Sequence, residues 1–169
     1  MAFEAPVVTA TDGTPFVEVD GVLYRAIDPA FREFAVAGSR TAGRYSRSDQ
    51  PTLYLSSSPA GVAAAMIAHK KERSENLSLV SVHVSANRIV DLRDEAARTA
   101  AGIALEDATA SWQDVVAEGG TPRSWKVRAQ LEAIGAKGLI DPSRKEPGLW
   151  HLVLFAWNRD GSASIDLLD

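Results

Sequence analysis

The residues best suited to chemistry lie in one stretch, Ala42-Gly43-Arg44-Tyr45-Ser46-Arg47-Ser48-Asp49-Gln50-Pro51-Thr52-Leu53-Tyr54-Leu55-Ser56-Ser57-Ser58-Pro59. A Gly-Arg-Tyr loop, a strand bearing a tyrosine and a capped helix start follow one another directly. Together they suit a dianionic, partly aromatic ligand. Arg44 has the planar fork that matches a pyrophosphate, and a tyrosine face can stack on a base or nicotinamide ring. The N–H groups of Ser58 to Gly61 fall at a predicted helix N-terminus, where anions are favoured. Charge-assisted contacts of this kind contribute about 1.5–3 kcal/mol each, so two arginines and one stack suffice for micromolar binding. Spacing alone favours a plainer alternative, an exposed loop arginine beside a core tyrosine.

Other chemistries fail on inspection. No G-x-G-x-x-G follows a strand, and no G-x-x-x-x-G-K-[ST] or G-x-S-x-G is present. Cysteine is absent, which removes disulfides, thiolate nucleophiles and cysteine-based metal centres. His69, His83 and His151 are far apart, with no carboxylate at ligand spacing, and read as structural, so no metal is expected. Lys and Arg number 18 against 22 Asp and Glu, a net charge of −4 that argues against direct binding of nucleic acid. The basic run His69-Lys70-Lys71-Glu72-Arg73 carries its own acid and reads as the solvated end of a helix.

The elements that must position these residues follow from period and punctuation. The first dozen residues, to Asp12-Gly13, read as a loose arm. Phe16 to Val19 alternates, Asp20-Gly21 is a hairpin dipeptide, and Val22 to Arg25 resumes the alternation, predicting a β-hairpin. Asp28-Pro29 ends it, Phe31 and Phe34 fit a helical turn, and 37–47 is loop. Thr52 to Ser56 is a strand, and Ser58-Pro59 opens an alanine-rich helix through Val62, Met66 and His69 that suits close packing on a sheet. Leu77 to Val84 and Arg88 to Leu92 predict two further strands. Ser111 to Glu118 is a polar helical stretch. Thr121-Pro122, the stripe Val127, Leu131 and Ile134, and Gly135 delimit the clearest helix. Gly138 to Ile140, a central Trp150 to Trp157 and an edge Ser162 to Leu168 complete the strands. The pattern is α+β on a mixed, largely antiparallel sheet. With 169 residues, 46% hydrophobic and 24% charged, we expect one domain over 1–169. No apolar run approaches the roughly 20 residues of a membrane helix, and no signal segment is visible. A cytoplasmic location is the expectation.

Five segments in order resemble the RES-domain toxins, a family named for arginine, glutamate and serine. They are Leu23-Tyr24-Arg25; Gly43-Arg44-Tyr45; Pro51 to Pro59; Ile89-Val90-Asp91-Leu92; and Gly135 to Arg144, followed by Leu152-Val153-Leu154-Phe155. The resemblance implies an ADP-ribosyltransferase-like fold and the toxin half of a toxin–antitoxin pair. Such toxins use NAD as co-substrate and break its nicotinamide–ribose bond. ADP-ribose then passes to a protein, the preferred acceptor here, or to water or phosphate. A catalytically weakened NAD-binding module is the non-enzymatic alternative. The resemblance also implies a helix-turn-helix antitoxin that carries any DNA contact. Carried over, the family's first arginine falls on Arg25, its loop arginine on Arg44, its strand tyrosine on Tyr54 with Ser56 nearby, and its late serine on Ser143. Arg25 and Arg44 are then expected at phosphate and ribose, and Tyr45 or Tyr54 against the ring. Ser143 is expected at a ribose hydroxyl or the acceptor, although by itself it reads as a turn residue after Pro142.

One position departs from the family. Its glutamate is expected about two turns into the helix after Pro59, where this chain reads Val62-Ala63-Ala64-Ala65-Met66-Ile67. Glu72, Glu75 and Asp91 are the candidates to replace it. Losing one contact to transition-state charge costs about 10²–10³ in rate, which suits slow, selective transfer to one protein better than bulk NAD destruction. Four tryptophans, Trp112, Trp125, Trp150 and Trp157, suggest either core or a self-association face.

Overall fold

In the computed structural model, which describes residues 4–68, 77–144 and 146–168, strand β1 (Val7–Ala10) pairs antiparallel with the long β2 (Phe16–Ile27). Residues 7–10 of the expected loose arm are therefore paired sheet. The expected hairpin at Asp20-Gly21 does not form, because β2 runs straight through both residues. Its partner along nearly its whole length is β4 (Ser78–Asp91). Gly21 has another use: with φ at 146°, it lets Pro6 cross so closely that a Cβ would lie 2.8 Å from the proline Cα. The true turn is the earlier Asp12-Gly13, where Gly13 takes the left-handed conformation at φ 75°. The two strands expected over 77–92 are likewise one. Arg88 adopts φ 56° inside β4 without ending it, and its guanidinium donates to Gly135 O at 2.8 Å and lies over Phe16.

The α+β reading holds. A 3-10 turn (Pro29–Phe34), capped by Asp28, leads through loop into β3 (Leu53–Ser56) and α1 (Pro59–Ala68). After β4 come α2 (Glu95–Ala101), α3 (Leu105–Thr109), α4 (Gln113–Ala117) and α5 (Arg123–Ala133). Strands β5 (Gly138–Pro142), β6 (Trp150–Leu154) and β7 (Ser164–Leu167) follow. Helix α2 went unread, although Asp94 caps Ala96 N–H at 3.0 Å and Gly102 ends it at φ 73°. The sheet order is β1-β2-β3-β6-β5-β4-β7, and the β2–β4 pairing joins the ladder back on itself. β6 is central and β7 is an edge, as its composition implies. Only β4–β5 is parallel among the described strand pairs.

Strand alternation sorts two apolar layers. Leu23, Leu53, Leu55, Val82, Val84, Ile140, Leu152 and Leu154 form one core from one face of the strands. On the other face Val90, Leu92, Leu139 and Val153 pack with Ala97 and Ala101 of α2 and Val127 and Leu131 of α5. Burying a Leu or Val side chain contributes about 1.5–3 kcal/mol, so this second layer seats α5 firmly. That seating matters to the site.

Candidate functional site

Helix α5 holds the Gly43-Arg44-Tyr45 loop by its carbonyls. Trp125 Nε1 donates to Gly43 O at 2.9 Å, the Ser124 hydroxyl to Arg44 O, and Arg128 Nη1 to Tyr45 O at 3.2 Å. Arg128 is buried, yet it also meets the Thr52 hydroxyl, Glu132 and the Phe155 ring, so its charge is well matched. From below, the Tyr54 hydroxyl accepts from Tyr45 N–H at 3.1 Å and pairs with the Ser46 hydroxyl at 2.7 Å. A Cβ on Gly43 would lie 2.7 Å from that hydroxyl, which is why glycine stands there. The apolar stripe revealed α5 in the sequence, but the polar residues that grip the loop gave no periodic signal.

A cleft of about 1090 Å³ opens beside this loop, and Arg25, Arg44, Tyr45, Tyr54, Ser56 and Ser143 all line it. They come from β2, the loop, β3 and the segment after β5. Arg44 Nη1 donates to Ala108 O at 2.9 Å and Ala110 O at 2.7 Å, carbonyls at the end of α3, and Nε and Nη2 donate to no described residue. Arg25 Nη1 donates to Ala35 O at 2.6 Å. Tyr45 is only 1% exposed, and its hydroxyl donates to Asp141 Oδ1 at 2.7 Å, whereas the Tyr54 ring is half-buried. Ser56 Oγ lies 3.0 Å from His151 Nδ1. Ser143 Oγ accepts from Glu146 N–H at 3.2 Å, within the turn after Pro142. Ser58 caps α1 by accepting from Gly61 N–H at 3.1 Å.

The floor has a regular construction. Ser56 on β3, His151 on β6 and Asp141 on β5 stand directly across from one another in the ladder, so their side chains share one face. Asp141 and His151 were given no role from sequence. The row becomes visible only once the register is known.

Charge separates the cleft from the rest of the chain. Arg25, Arg40, Arg44 and Arg144 line it, against a single described carboxylate, Asp141, although the whole chain is acidic. Burial, then the charge of Arg144, push the Arg44 pKa down, but guanidinium remains charged at any neutral pH. Burial pushes the Asp141 pKa up, against the Tyr45 hydrogen bond and the two arginines. Burial, then Arg144, lower the His151 pKa and favour neutral imidazole. Tyr45 is held well above the ordinary phenol value by burial and by Asp141, so it stays a donor.

Of the residues expected to replace an acid on α1, Asp91 does not line the cleft. Both of its oxygens are bound by Arg93, at 2.9 and 2.8 Å. Glu72 and Glu75 lie outside the described residues, as does the run 69–73. Of the four tryptophans Trp150 is buried, Trp125 and Trp157 are partly buried and donate to backbone carbonyls, and the partly buried Trp112 lines the cleft. Among the described residues no His/Asp/Glu group is placed to hold a metal, and no helix is long and apolar enough to cross a membrane.

No curated protein matches the chain by sequence. Its backbone superposes on a chain of the crystal structure of the M. tuberculosis MbcT-MbcA toxin-antitoxin complex with a TM-score of 0.61 and 15% identity, over 91% of this chain and 84% of that one. A likeness at that identity concerns the fold. The family model described as RES domain matches residues 22–167, which takes in the second half of β2, the loop, the floor of the cleft and the last strand. The chain belongs to the RES domain family.

Proposed function

We propose that the cleft binds NAD and breaks the bond between its nicotinamide and ribose, and that the chain is the toxin of a toxin–antitoxin pair. The observation that carries this reading is the meeting of Arg25, Arg44, Tyr54, Ser56 and Ser143 in one arginine-lined cleft. Its volume stands at the upper end of small-molecule sites, as a dinucleotide requires. Nε and Nη2 of Arg44 bind the pyrophosphate, with Arg25 on the phosphate and ribose side. The Tyr54 ring packs on the nicotinamide. The C1′–N bond breaks with its electron pair leaving on the pyridine nitrogen, so nicotinamide departs neutral and the positive charge passes to the ribose. An acceptor then bonds to C1′ and gives up its proton. Ser143 orients that acceptor or a ribose hydroxyl.

The preferred acceptor is a side chain of a protein target, making the chain a mono-ADP-ribosyltransferase. Water or phosphate are the other acceptors. A helix-turn-helix antitoxin covering the cleft is the proposed partner; the fold's likeness to a toxin from a toxin–antitoxin complex supports the pairing. Incubation of the chain with NAD, following nicotinamide, separates the cases. Release with lysate only, together with a labelled protein, supports transfer. Release in plain buffer supports hydrolysis, and release that needs phosphate supports phosphorolysis. The acid-free run Val62 to Ile67 favours a second reading, an NAD-binding module without turnover. Binding of NAD with no nicotinamide released under any condition would select it.

A further inference from the structure

We propose that Asp141 is the carboxylate that faces the reacting ribose and stabilises the positive charge developing at its C1′ as nicotinamide leaves. This rests on the NAD-cleaving reading above. Charge moves from the pyridinium nitrogen to the ribose ring as the bond breaks, and a fixed anion beside that ring lowers the barrier. Among the described residues lining the cleft, Asp141 alone carries a carboxylate; the other ionised groups are the four arginines.

Its setting fits the task. Asp141 lies at the β5 end of the floor, in register with His151 and through it with Ser56. Tyr45 OH fixes Oδ1 at 2.7 Å, and Oδ2 takes no hydrogen bond among the described residues. Tyr45 is itself locked, its backbone held by Arg128 and by Tyr54. The carboxylate therefore has one anchored oxygen and one presented oxygen, on a strand rather than a mobile loop. Strand placement matters because a rigid anion needs no reorganisation during bond cleavage. The groups facing it are Arg44 and Tyr45 from the loop, Tyr54 from β3, Arg144 after β5 and His151 on β6. Burial raises its pKa, and the Tyr45 hydrogen bond, Arg144 and Arg44 each oppose that rise in favour of the ionised form.

The test uses the full chain with NAD, reading nicotinamide release, kcat, KM and Tm. Asp141→Asn, which keeps shape and loses charge, is expected to lower kcat by about 10²-fold or more, with KM and Tm little changed. Asp141→Glu recovers part of kcat. Tyr45→Phe removes the hydrogen bond that stabilises the anion, so the acid limb of the kcat–pH profile moves to higher pH. A purely structural Asp141 predicts no such displacement, and this variant carries the test if Asp141→Asn fails to fold. Wild-type turnover with Asp141→Asn at wild-type kcat overturns the proposal and leaves the NAD-cleaving reading standing. A Tyr45→Phe profile superimposable on wild type also counts against it. No release by wild type in any buffer, phosphate or lysate overturns the reading itself, and the proposal with it.

Discussion

Two rows of side chains on the same face of β3, β6 and β5 meet different fates. Tyr54, Val153 and Leu139 form one row, packed into the layer beneath α2 and α5, with Tyr54 and Val153 also reaching the edge of the cleft. Ser56, His151 and Asp141 form the next, two residues along each strand, and it is the floor of the cleft. Pleating puts both rows on one side. What separates them is cover. Where α5 lies over the sheet the residues are apolar or, like Tyr54, turn a polar tip to a satisfied partner. Beyond it the residues are polar and line the cleft, although Ser56 and Asp141 are themselves largely buried. The scaffold and the site are thus one surface, divided by where a helix ends.

Breaking the covered row should cost stability first. Leu131→Ala, fully buried on the face of α5 that packs on this row's layer, is expected to destabilise the chain by about 2–5 kcal/mol in chemical denaturation. Its activity per folded molecule should change little. Arg44→Ala, in the loop beside the open row, should do the reverse. Nicotinamide release falls by about 10²–10³-fold, while Tm falls by a few degrees at most, since only the two bonds to α3 carbonyls are lost. Equal losses of Tm and of turnover in both variants would erase the distinction between scaffold and site.

The boundary itself offers smaller, sharper tests. Gly43→Ala drives a methyl against the Tyr54 hydroxyl and should cost about 1–3 kcal/mol, with KM for NAD rising as the loop shifts. Ser124→Ala removes one carbonyl tether from the same loop and should cost about 0.5–1.5 kcal/mol. Least is expected from pH. The folded state holds His151 below its ordinary pKa, so the unfolded chain takes up a proton first as pH falls through about 6.5. The contribution of His151 to stability is therefore lost on the acid side. Tm measured from pH 8 to 5.5 should fall less steeply for His151→Gln than for wild type.

Much of the covered region was legible in the sequence, and less of the open one. The 3.6-residue stripe of α5, the strand at Thr52 to Ser56 and the cap at Ser58 each carry a local signal, and the structure has all three. Gly21 and Arg88 misled because a turn dipeptide and a polar interruption look the same whether the strand ends or is crossed. Tertiary events decide: Pro6 crosses at Gly21, and Arg88 reaches Gly135 and Phe16. Arg44 was legible as a candidate because its loop lies beside the tyrosine strand. Asp141 and His151 were not, since what joins them to Ser56 is strand register. Ser124, Trp125 and Arg128 escaped for a related reason. Their partners are backbone carbonyls about 80 residues away in the chain, which leave no mark on composition or period.

The closing of the ladder has a mechanical consequence. β2 and β4 are stitched along nearly their full length, whereas β2 and β3 share a single registered pair, Tyr24 with Ser56. That joint adjoins Arg25 on one side and the polar floor on the other. Widening it would part few backbone hydrogen bonds, and the resistance would come from the core that Leu23 of β2 shares with Leu53 and Leu55 of β3. The closed ladder therefore has one thin seam, and that seam lies beside the cleft, where a single registered pair completes the ring.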